Sequence, residues 1–332
     1  MKYFSTKNKN TAYSFQEAVL KGLPSDGGLF VPEKYPEVTS DLLKSLADKD
    51  FRFTAYSLAK LFIDGIPEKE LKKIIDDAYN FEPPVMFIDK QFGVLELFHG
   101  PTLAFKDFGA RFMSRVMSYF VKKSGKKLRI LIATSGDTGS AVGNGFQNIE
   151  DIDVTILYPS GKISEIQEKQ IATLSGNISS LEVDGTFDDC QRLVKQAFLD
   201  QELSSKLNLS SANSINISRL IPQIFYYFYA YWQARLRSDN IVFSVPSGNF
   251  GNLTAGLMAY KMGLPVRKFI AATNVNHIVP DYLESGDFIP KTSIATISNA
   301  MDVGNPSNFA RMLDMFSYEE MKDLIDGYWF SD

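Results

Sequence analysis

Short apolar runs alternate with longer helical patterns through most of the chain. The runs that resemble buried strands are rich in Val, Ile, Leu and Phe, and they lie at 94–98, 129–134, 154–158, 178–183, 241–246 and 269–273. All but the last lead through a short turn into a segment whose apolar residues recur at helical spacing. Strands that alternate with helices form parallel sheets joined by right-handed crossovers. The pattern therefore predicts an α/β fold.

The first ninety residues depart from this alternation. Their apolar residues recur at helical spacing in the segments 14–22, 41–48, 53–63 and 69–79. The connections between these segments carry proline or glycine, which end helices and favour turns. We therefore expect a mostly helical N-terminal segment that packs against the sheet body.

The longest apolar stretch is the run LIPQIFYYFYAYW at 220–232. It is shorter than the roughly 20 residues that a membrane span requires. Its aromatic residues are not interleaved with lysine or arginine, as a base-stacking surface would need. The stretch therefore predicts a buried helix rather than a membrane or nucleic-acid contact.

Composition narrows the possible functions further. The 332 residues include 35 Lys and Arg against 39 Asp and Glu, a formal charge of −4, so no basic field favours nucleic acid. One cysteine, Cys190, and two histidines, His99 and His277, exclude an internal disulfide and the Cys/His zinc sites. The first ten residues hold no apolar signal-peptide core. We expect a cytoplasmic protein with no membrane partner.

Two glycine-rich loops stand where a predicted strand gives way to a helix: TSGDTGS at 134–140 and PSGNFGN at 246–252. In parallel sheets, ligands bind at the carboxyl ends of strands, and helix N-termini offer free N–H groups to anions. Gly248 and Gly251 would let the backbone wrap closely around a phosphate. Ordinary tight turns explain such loops equally well. The P-loop and dinucleotide fingerprints are absent from the sequence.

A single lysine stands out in the segment HGPTLAFKDFGARF at 99–112. Lys106 is surrounded by apolar residues at the predicted start of a helix. Partial desolvation at a helix N-terminus disfavours an ammonium and so promotes a nucleophilic amine. The spacing alone favours the alternative, in which Lys106 extends along the helix surface into solvent.

The segment NSINISR at 213–219 precedes the aromatic helix. Ser214, Asn216 and Arg219 offer hydroxyl, amide and guanidinium donors of the kind that bind a phosphoryl or carboxylate group. Asparagine and serine are also common helix caps, so a purely structural role stays open.

Together these segments resemble the threonine synthase family of fold-type II pyridoxal-phosphate enzymes. The resemblance holds for their order along the chain and for their amino-acid sequences, and it extends over essentially the whole chain. The segments that carry the resemblance are 14–33, 98–112, 133–142, 213–223 and 245–252. The DGGL opening and the lysine segment separate this family from other fold-type II enzymes.

The resemblance implies two αβα domains with parallel sheets and a helical N-terminal segment. We expect an N-terminal segment at 1–96, a small substrate-side domain at 97–212 that begins near Lys106, and a large domain for the cofactor phosphate at 213–332. Relatives continue past position 332 and place a Ser or Thr against the ring nitrogen of the cofactor. The C-terminal part of the fold is therefore expected to be missing here, with weaker cofactor binding and slower turnover as the result.

The resemblance also implies the site and its reaction. Lys106 would form the internal Schiff base with pyridoxal 5′-phosphate, and O-phospho-L-homoserine and water would give L-threonine and phosphate. This makes the protein a carbon–oxygen lyase that acts on phosphates. The other cofactor contacts would be Asp137, Gly248, Asn249, Phe250, Gly251 and Asn252. The substrate contacts would be Ser135, Thr138, Ser214, Asn216 and Arg219.

The sequence also gives expectations for Asp137 and His99, and it leaves two rival functions open. Asp137 stands where many fold-type II enzymes carry Asn, so its carboxylate is expected to be protonated or turned away from the cofactor. For His99 we expect a structural role. The rival functions are a related phospho-lyase or dehydratase, and a truncated homologue without catalysis. No metal ligand is expected, and the sequence does not predict an oligomeric state.

Overall fold

The structure, a computed structural model, describes residues 1–331. Two parallel sheets form its framework, and two short antiparallel strand pairs lie outside them. Helices precede or follow nearly every strand of the parallel sheets. The α/β class predicted from the alternating pattern is therefore confirmed.

The N-terminal part of the chain is mostly helical, as its apolar spacing predicts. Ser14, Thr39 and Asp50 accept hydrogen bonds from the first turns of three of its helices, which fixes where these helices begin. Phe51 packs edge-to-face on Phe108, with ring centroids 5.4 Å apart, and so joins this part to the main core. The elements are β1 (Tyr3–Ser5), α1 (Phe15–Lys21), β2 (Phe30–Pro32), α2 (Ser40–Ser45), α3 (Phe51–Phe62), α4 (Glu68–Ala78), β3 (Val85–Phe87) and β4 (Gly93–Leu95).

The first parallel sheet occupies the middle of the chain. Its elements are α5 (Lys106–Ser124), β5 (Leu128–Ala133), α6 (Asp137–Phe146), β6 (Ile152–Pro159), α7 (Glu165–Ala172), β7 (Ile178–Val183), α8 (Phe187–Leu199), α9 (Gln201–Lys206) and β8 (Leu209–Ser210). The strand order is β7-β6-β5-β8, so the order reverses beside β5. Ligands of open parallel sheets bind at such a reversal, outside the carboxyl ends of the strands.

The second parallel sheet follows in the chain, with the strand order β11-β10-β9. Its elements are α10 (Ile217–Arg235), β9 (Val242–Pro246), α11 (Gly251–Lys261), β10 (Lys268–Thr273), α12 (Ile278–Ser285), α13 (Phe309–Met315), α14 (Tyr318–Leu324) and β11 (Ile325–Trp329), with a 3₁₀ turn at Asn299–Met301. Helix α10 packs on α5 and α3. Its aromatic residues Phe225, Tyr226, Tyr227 and Phe228 are at most 2% exposed, which confirms the buried helix predicted at 220–232.

The strand predicted at 94–98 is wrong in extent and in pairing. Only Gly93–Leu95 forms a strand, and it pairs antiparallel with β3, with Val85 opposite Leu95. An apolar run of this length does not reveal whether its partner is a neighbouring hairpin strand or a distant parallel one. The short strands β1, β2, β3, β8 and β11 were not predicted, because two to five residues carry too little periodicity.

None of the helices within residues 1–331 combines the length and hydropathy needed to cross a membrane. The two parallel sheets extend over 128–210 and 242–329. The division into parts at 96/97 and 212/213 stays a prediction.

Candidate active site

A large cavity lies at the carboxyl ends of β5 and β9. Its volume is about 1870 Å³. Both glycine-rich loops singled out in the sequence border it, and so does the lysine segment. The predicted site residues that line it are Lys106, Ser135, Asp137, Thr138, Ser214, Arg219, Gly248, Asn249, Phe250, Gly251 and Asn252.

Lys106 is the first residue of α5, and its amine points into the cavity instead of into solvent. Its Nζ lies 3.1 Å from Oδ2 of Asp137, and its side chain is 15% exposed. Burial lowers the pKa of the amine, and the nearby guanidinium of Arg219 lowers it further, while the Asp137 carboxylate acts against both. The geometry therefore favours an amine that can lose its proton.

The loop before α5 is held in place by a buried carboxylate. Asp107 accepts hydrogen bonds from the backbone N–H and the hydroxyl of Thr102, at 2.9 and 2.7 Å. Burial raises the pKa of Asp107, although these hydrogen bonds oppose the rise. Leu103, at the tip of this loop, has a left-handed backbone with φ of 60°. The tightened loop fixes the direction in which α5 begins, and therefore the position of Lys106.

Asp137 is the first residue of α6, after the loop that follows β5. Its Oδ2 faces Lys106, and its Oδ1 accepts a hydrogen bond from Nε2 of Gln167 at 2.6 Å. Burial opposes the ionisation of Asp137, but the Lys106 ammonium and the two hydrogen bonds outweigh burial and lower its pKa. The carboxylate is therefore charged and directed to Lys106 and Gln167. Its contact with the cofactor stays a prediction.

The loop PSGNFGN forms a cup at the N-terminus of α11. Phe250 precedes the helix in a left-handed conformation, with φ of 57°, and its side chain makes no cap hydrogen bond. Within the first turn, Oδ1 of Asn252 accepts from the backbone N–H of Leu253 at 2.9 Å. Gly248 approaches the chain at 300–301 so closely that a Cβ atom would lie 2.6 Å from the carbonyl oxygen of Ala300. Free N–H groups at a helix N-terminus bind anions. The cup is therefore suited to a phosphate.

The asparagines of the cup bind neighbouring protein groups. Asn252 accepts a hydrogen bond from Ser247 and donates one to the carbonyl of Pro246, so its side chain shapes the loop. Asn249 donates to Oγ of Ser214 at 2.5 Å, which connects the cup to the segment NSINISR. The two segments, 35 residues apart in sequence, therefore form one wall of the cavity.

Arg219 is a buried cation at the cavity wall, 2% exposed. One of its terminal nitrogens, Nη1, donates to the carbonyl of Ala212 at 2.8 Å. Its Nε has no hydrogen-bond partner within residues 1–331. Burial lowers the pKa of this guanidinium to about 10. Nε itself faces α5, where a Cβ at Gly109 would lie 3.2 Å from it. Because Arg219 borders the cavity, this buried cation is suited to an anionic ligand there.

Asn216 acts as a helix cap, which is the structural alternative that the sequence left open. Its Oδ1 accepts from the backbone and hydroxyl of Ser218, and its Nδ2 donates to the carbonyls of Val19 and Ser211. The residue is fully buried, caps α10 and does not line the cavity. Because its hydrogen-bonding capacity is used by the protein, we leave it out of the proposed substrate contacts.

His99 lies outside the cavity. Its Nε2 is 2.8 Å from Oε2 of Glu96, and its side chain is 41% exposed. Both atoms belong to the loop that leads from β4 towards Lys106. This position agrees with the structural role expected for His99.

The sequence analysis did not identify the residues that support the cup on the side away from the cavity. Arg311 is 1% exposed and donates to Oδ1 of Asn308 and to the carbonyls of Ile215 and Phe30. Asn308 in turn donates to the carbonyl of Asn249 at 3.1 Å. Burial lowers the pKa of Arg311 to about 9. No glycine motif or strand marks this part of the sequence, so no local signal could have identified it.

Comparison with known proteins agrees with this geometry. The family "Threonine synthase N terminus" matches residues 2–79, and the family "Pyridoxal-phosphate dependent enzyme" matches residues 90–323. A threonine synthase from Escherichia coli is 49% identical over 328 residues, which cover 98% of this chain and 76% of that protein. The chain belongs to the threonine synthase family.

Other threonine synthases support the same assignment. The enzyme from Haemophilus influenzae is 48% identical over 98% of this chain and 77% of its own length. The crystal structure of threonine synthase from Escherichia coli superposes with a TM-score of 0.94 at 46% identity, and covers 100% of this chain and 78% of that one. The chain thus spans about three quarters of the length of these threonine synthases. A PLP-bound threonine synthase from Brucella melitensis has a TM-score of 0.93 at 35% identity, with the same coverage.

Proposed function

We propose that the protein is a threonine synthase that converts O-phospho-L-homoserine and water to L-threonine and inorganic phosphate. The observation that carries this proposal is a single cavity with three matched parts. It contains the buried amine of Lys106, the N-terminus of α11 after Phe250 and the buried cation Arg219. A reaction in which both cofactor and substrate carry a phosphate needs two anion sites beside one amine.

The residues present fit pyridoxal 5′-phosphate. The cup at 248–252 would hold its phosphate, because the backbone there approaches closely and the N-cap residue Phe250 offers no side-chain acceptor to the first N–H groups of α11. Lys106 would hold its aldehyde carbon. When bound, the cofactor supplies an electron sink for negative charge that develops beside the substrate amino group.

Lys106 is the group that we propose to move protons. Its buried amine, with a lowered pKa, would accept the proton from the α-carbon of the substrate and return protons later. Overall, the β-carbon loses a hydrogen and gains the hydroxyl of water, and the γ-carbon exchanges its phosphate oxygen for hydrogen. Asp137, 3.1 Å from the amine, would orient Lys106 between these transfers.

Arg219, Ser214 and Thr138 would bind the substrate phosphate. All three residues line the same cavity, and the guanidinium is a buried cation there. Negative charge accumulates on the phosphate as its bond to the γ-carbon breaks. Donors that are already in place stabilise that charge without reorganisation. Ser135, on the same loop as Thr138, would contact the amino-acid part of the substrate.

Product analysis tests the proposed function. Protein saturated with pyridoxal phosphate is incubated with O-phospho-L-homoserine, and threonine, 2-oxobutyrate and phosphate are measured. We expect threonine and phosphate in equal amounts. Phosphate with 2-oxobutyrate would instead favour the phospho-lyase, and no release of phosphate would favour the homologue without catalysis. The cytoplasmic location expected from the sequence stays a prediction.

Gly248→Ala is expected to weaken cofactor binding by about tenfold. The added Cβ would lie 2.6 Å from the carbonyl oxygen of Ala300 and 2.9 Å from Cα of Met301, so the cup must shift. Such overpacking costs about 1–3 kcal/mol, and 1.4 kcal/mol is tenfold in affinity. The measurement is the dissociation constant for pyridoxal phosphate. In Gly251→Ala the added Cβ would meet no protein atom closer than 3.4 Å, so a loss in that variant would report contact with the bound phosphate itself. Unchanged affinity in Gly248→Ala would contradict the steric argument.

A further inference from the structure

Helix α7 contributes a side chain to the surroundings of Lys106 that no sequence motif indicated. We propose that Gln167 is a positioning residue that holds the Asp137 carboxylate against Lys106 and thereby sets the proton affinity of the lysine amine. The inference rests on the proposed function only in that Lys106 is the residue that carries the cofactor.

Two hydrogen bonds connect Gln167 to Lys106 through the carboxylate of Asp137. Gln167 Nε2 donates to Oδ1 of Asp137 at 2.6 Å, and the other oxygen, Oδ2, is 3.1 Å from Nζ of Lys106. Because one carboxylate oxygen is bound to the amide, the carboxylate cannot rotate away from the lysine without losing that hydrogen bond. Gln167 therefore determines which way Asp137 faces.

The side chain of Gln167 is itself fixed at its other atom. Its Oε1 accepts from the backbone N–H of Ser164 at 3.0 Å, and its own backbone N–H donates to Oγ of Ser164 at 3.2 Å. This reciprocal pair is a capping box at the start of α7. The amide has only one orientation that satisfies both neighbours, because Oε1 must face an N–H and Nε2 a carboxylate.

Glycine at position 136 leaves the space that the Gln167 side chain occupies. Gly136 has φ of 131°, which disfavours any other residue. A Cβ atom at Gly136 would lie 2.3 Å from Cδ of Gln167. The amide thus passes directly over the backbone of the loop that presents Asp137. A second glutamine one turn later, Gln170, lies 3.5 Å from the carbonyl oxygen of Thr102 in the lysine loop.

The charged groups that face Lys106 are few. Asp137 approaches it from α6 and Arg219 from α10, and these two act on its pKa in opposite directions. The position of Asp137 therefore decides how strongly the ammonium is stabilised. A residue that holds Asp137 in place determines how much free amine is present at neutral pH.

Gln167→Met separates this role from a structural one. Methionine has a similar length but no donor for Asp137, so the carboxylate can turn away from Lys106. We expect the pKa of the Lys106 amine to fall by about one unit, because the ammonium loses stabilisation by the carboxylate. In an Asp137→Asn background the same substitution should leave this pKa unchanged, since no charge remains to be held in place.

The pKa is measured on the cofactor-free protein. An amine-reactive label, trinitrobenzenesulfonate, is applied across a range of pH, and the modification of Lys106 is quantified by peptide mass spectrometry. Cofactor attachment, followed by absorbance at pH 7.5, is expected to become about tenfold faster, since a pKa lower by one unit gives about ten times more free amine at that pH. Neither measurement requires turnover.

Gln170→Met is the matched control. It makes the same substitution one turn later on α7, where the amide faces the carbonyl oxygen of Thr102 instead of Asp137. We expect no shift in this variant, and similar thermal unfolding in both. An unchanged Lys106 pKa in Gln167→Met, an equal fall in Gln170→Met, or the same fall in the Asp137→Asn background would overturn the inference. Failure of the cofactor assignment would be seen separately, as borohydride fixation of the cofactor on another lysine.

Discussion

Lys106→Ala is expected to abolish covalent attachment of the cofactor and to lower turnover by about a thousandfold or more. The substitution removes both the amine that holds the cofactor and the proposed proton acceptor, and general acid–base catalysis alone contributes about 10²–10⁴-fold. The cup at the N-terminus of α11 remains, so weak binding of pyridoxal phosphate through its phosphate should survive. Absorbance and phosphate release measure the two effects.

The control for this variant is Lys123→Ala. Lys123 belongs to the same helix but lies exposed at its far end. Removal of the Lys123 side chain should leave the absorbance of the bound cofactor and the rate of turnover unchanged. Borohydride reduction of the unmodified protein, followed by peptide mapping, should place the cofactor on the peptide that contains Lys106. A label on any other lysine would disprove the assignment.

Arg219→Ala is expected to lower kcat/KM for O-phospho-L-homoserine by about 10–100-fold, while the protein still binds pyridoxal phosphate. Hydrogen bonds to charged groups contribute about 1.5–3 kcal/mol, and the loss is greater if the contact tightens in the transition state. Arg219 belongs to the segment NSINISR, whereas the cofactor cup is formed by the separate loop at 246–252. The measurements are KM and kcat for the substrate and the dissociation constant for pyridoxal phosphate.

Arg219→Lys is the control for lost packing, because it keeps a charge in the same place. It should lose less substrate affinity than the alanine variant, although a lysine cannot reproduce the guanidinium fork. The two phosphate sites would be exchanged relative to our proposal if Arg219→Ala lost the cofactor and kept normal substrate affinity. Thermal unfolding of all variants identifies any general destabilisation.

The parts of the molecule that the sequence predicted are those whose signals are local. The six apolar runs stand out because each is contiguous, and five of them lie in the two parallel sheets. Lys106 begins its helix as its apolar neighbours and following periodicity predict. The glycine loops at 134–140 and 246–252 lie at strand ends beside the cavity because a parallel sheet brings the ends of its strands together.

The parts that escaped prediction depend on contacts between distant segments. Asn216 could cap a helix or bind a phosphate, and its bonds to the carbonyls of Ser211 and of Val19, 197 residues away, use the amide hydrogens that a phosphate would need. Gln167 is a polar residue in an ordinary helical pattern until α7 is packed beside Asp137. Strand β11 contains Asp326 and Gly327, which disfavour strands, yet its pairing with β10 overrides that preference.

Because of a contact that Arg311 makes, we expect the cup to form late during folding. It connects the carbonyl of Phe30 to the wall of the cavity, across a separation of 281 residues along the chain. Contacts that close so long a loop form after local ones, because the entropy of the intervening chain must be lost first. The helices and hairpins can therefore assemble while the phosphate site does not yet exist. Recovery of the cofactor's absorbance during refolding would then report the last step of assembly, after the circular dichroism of the helices has returned.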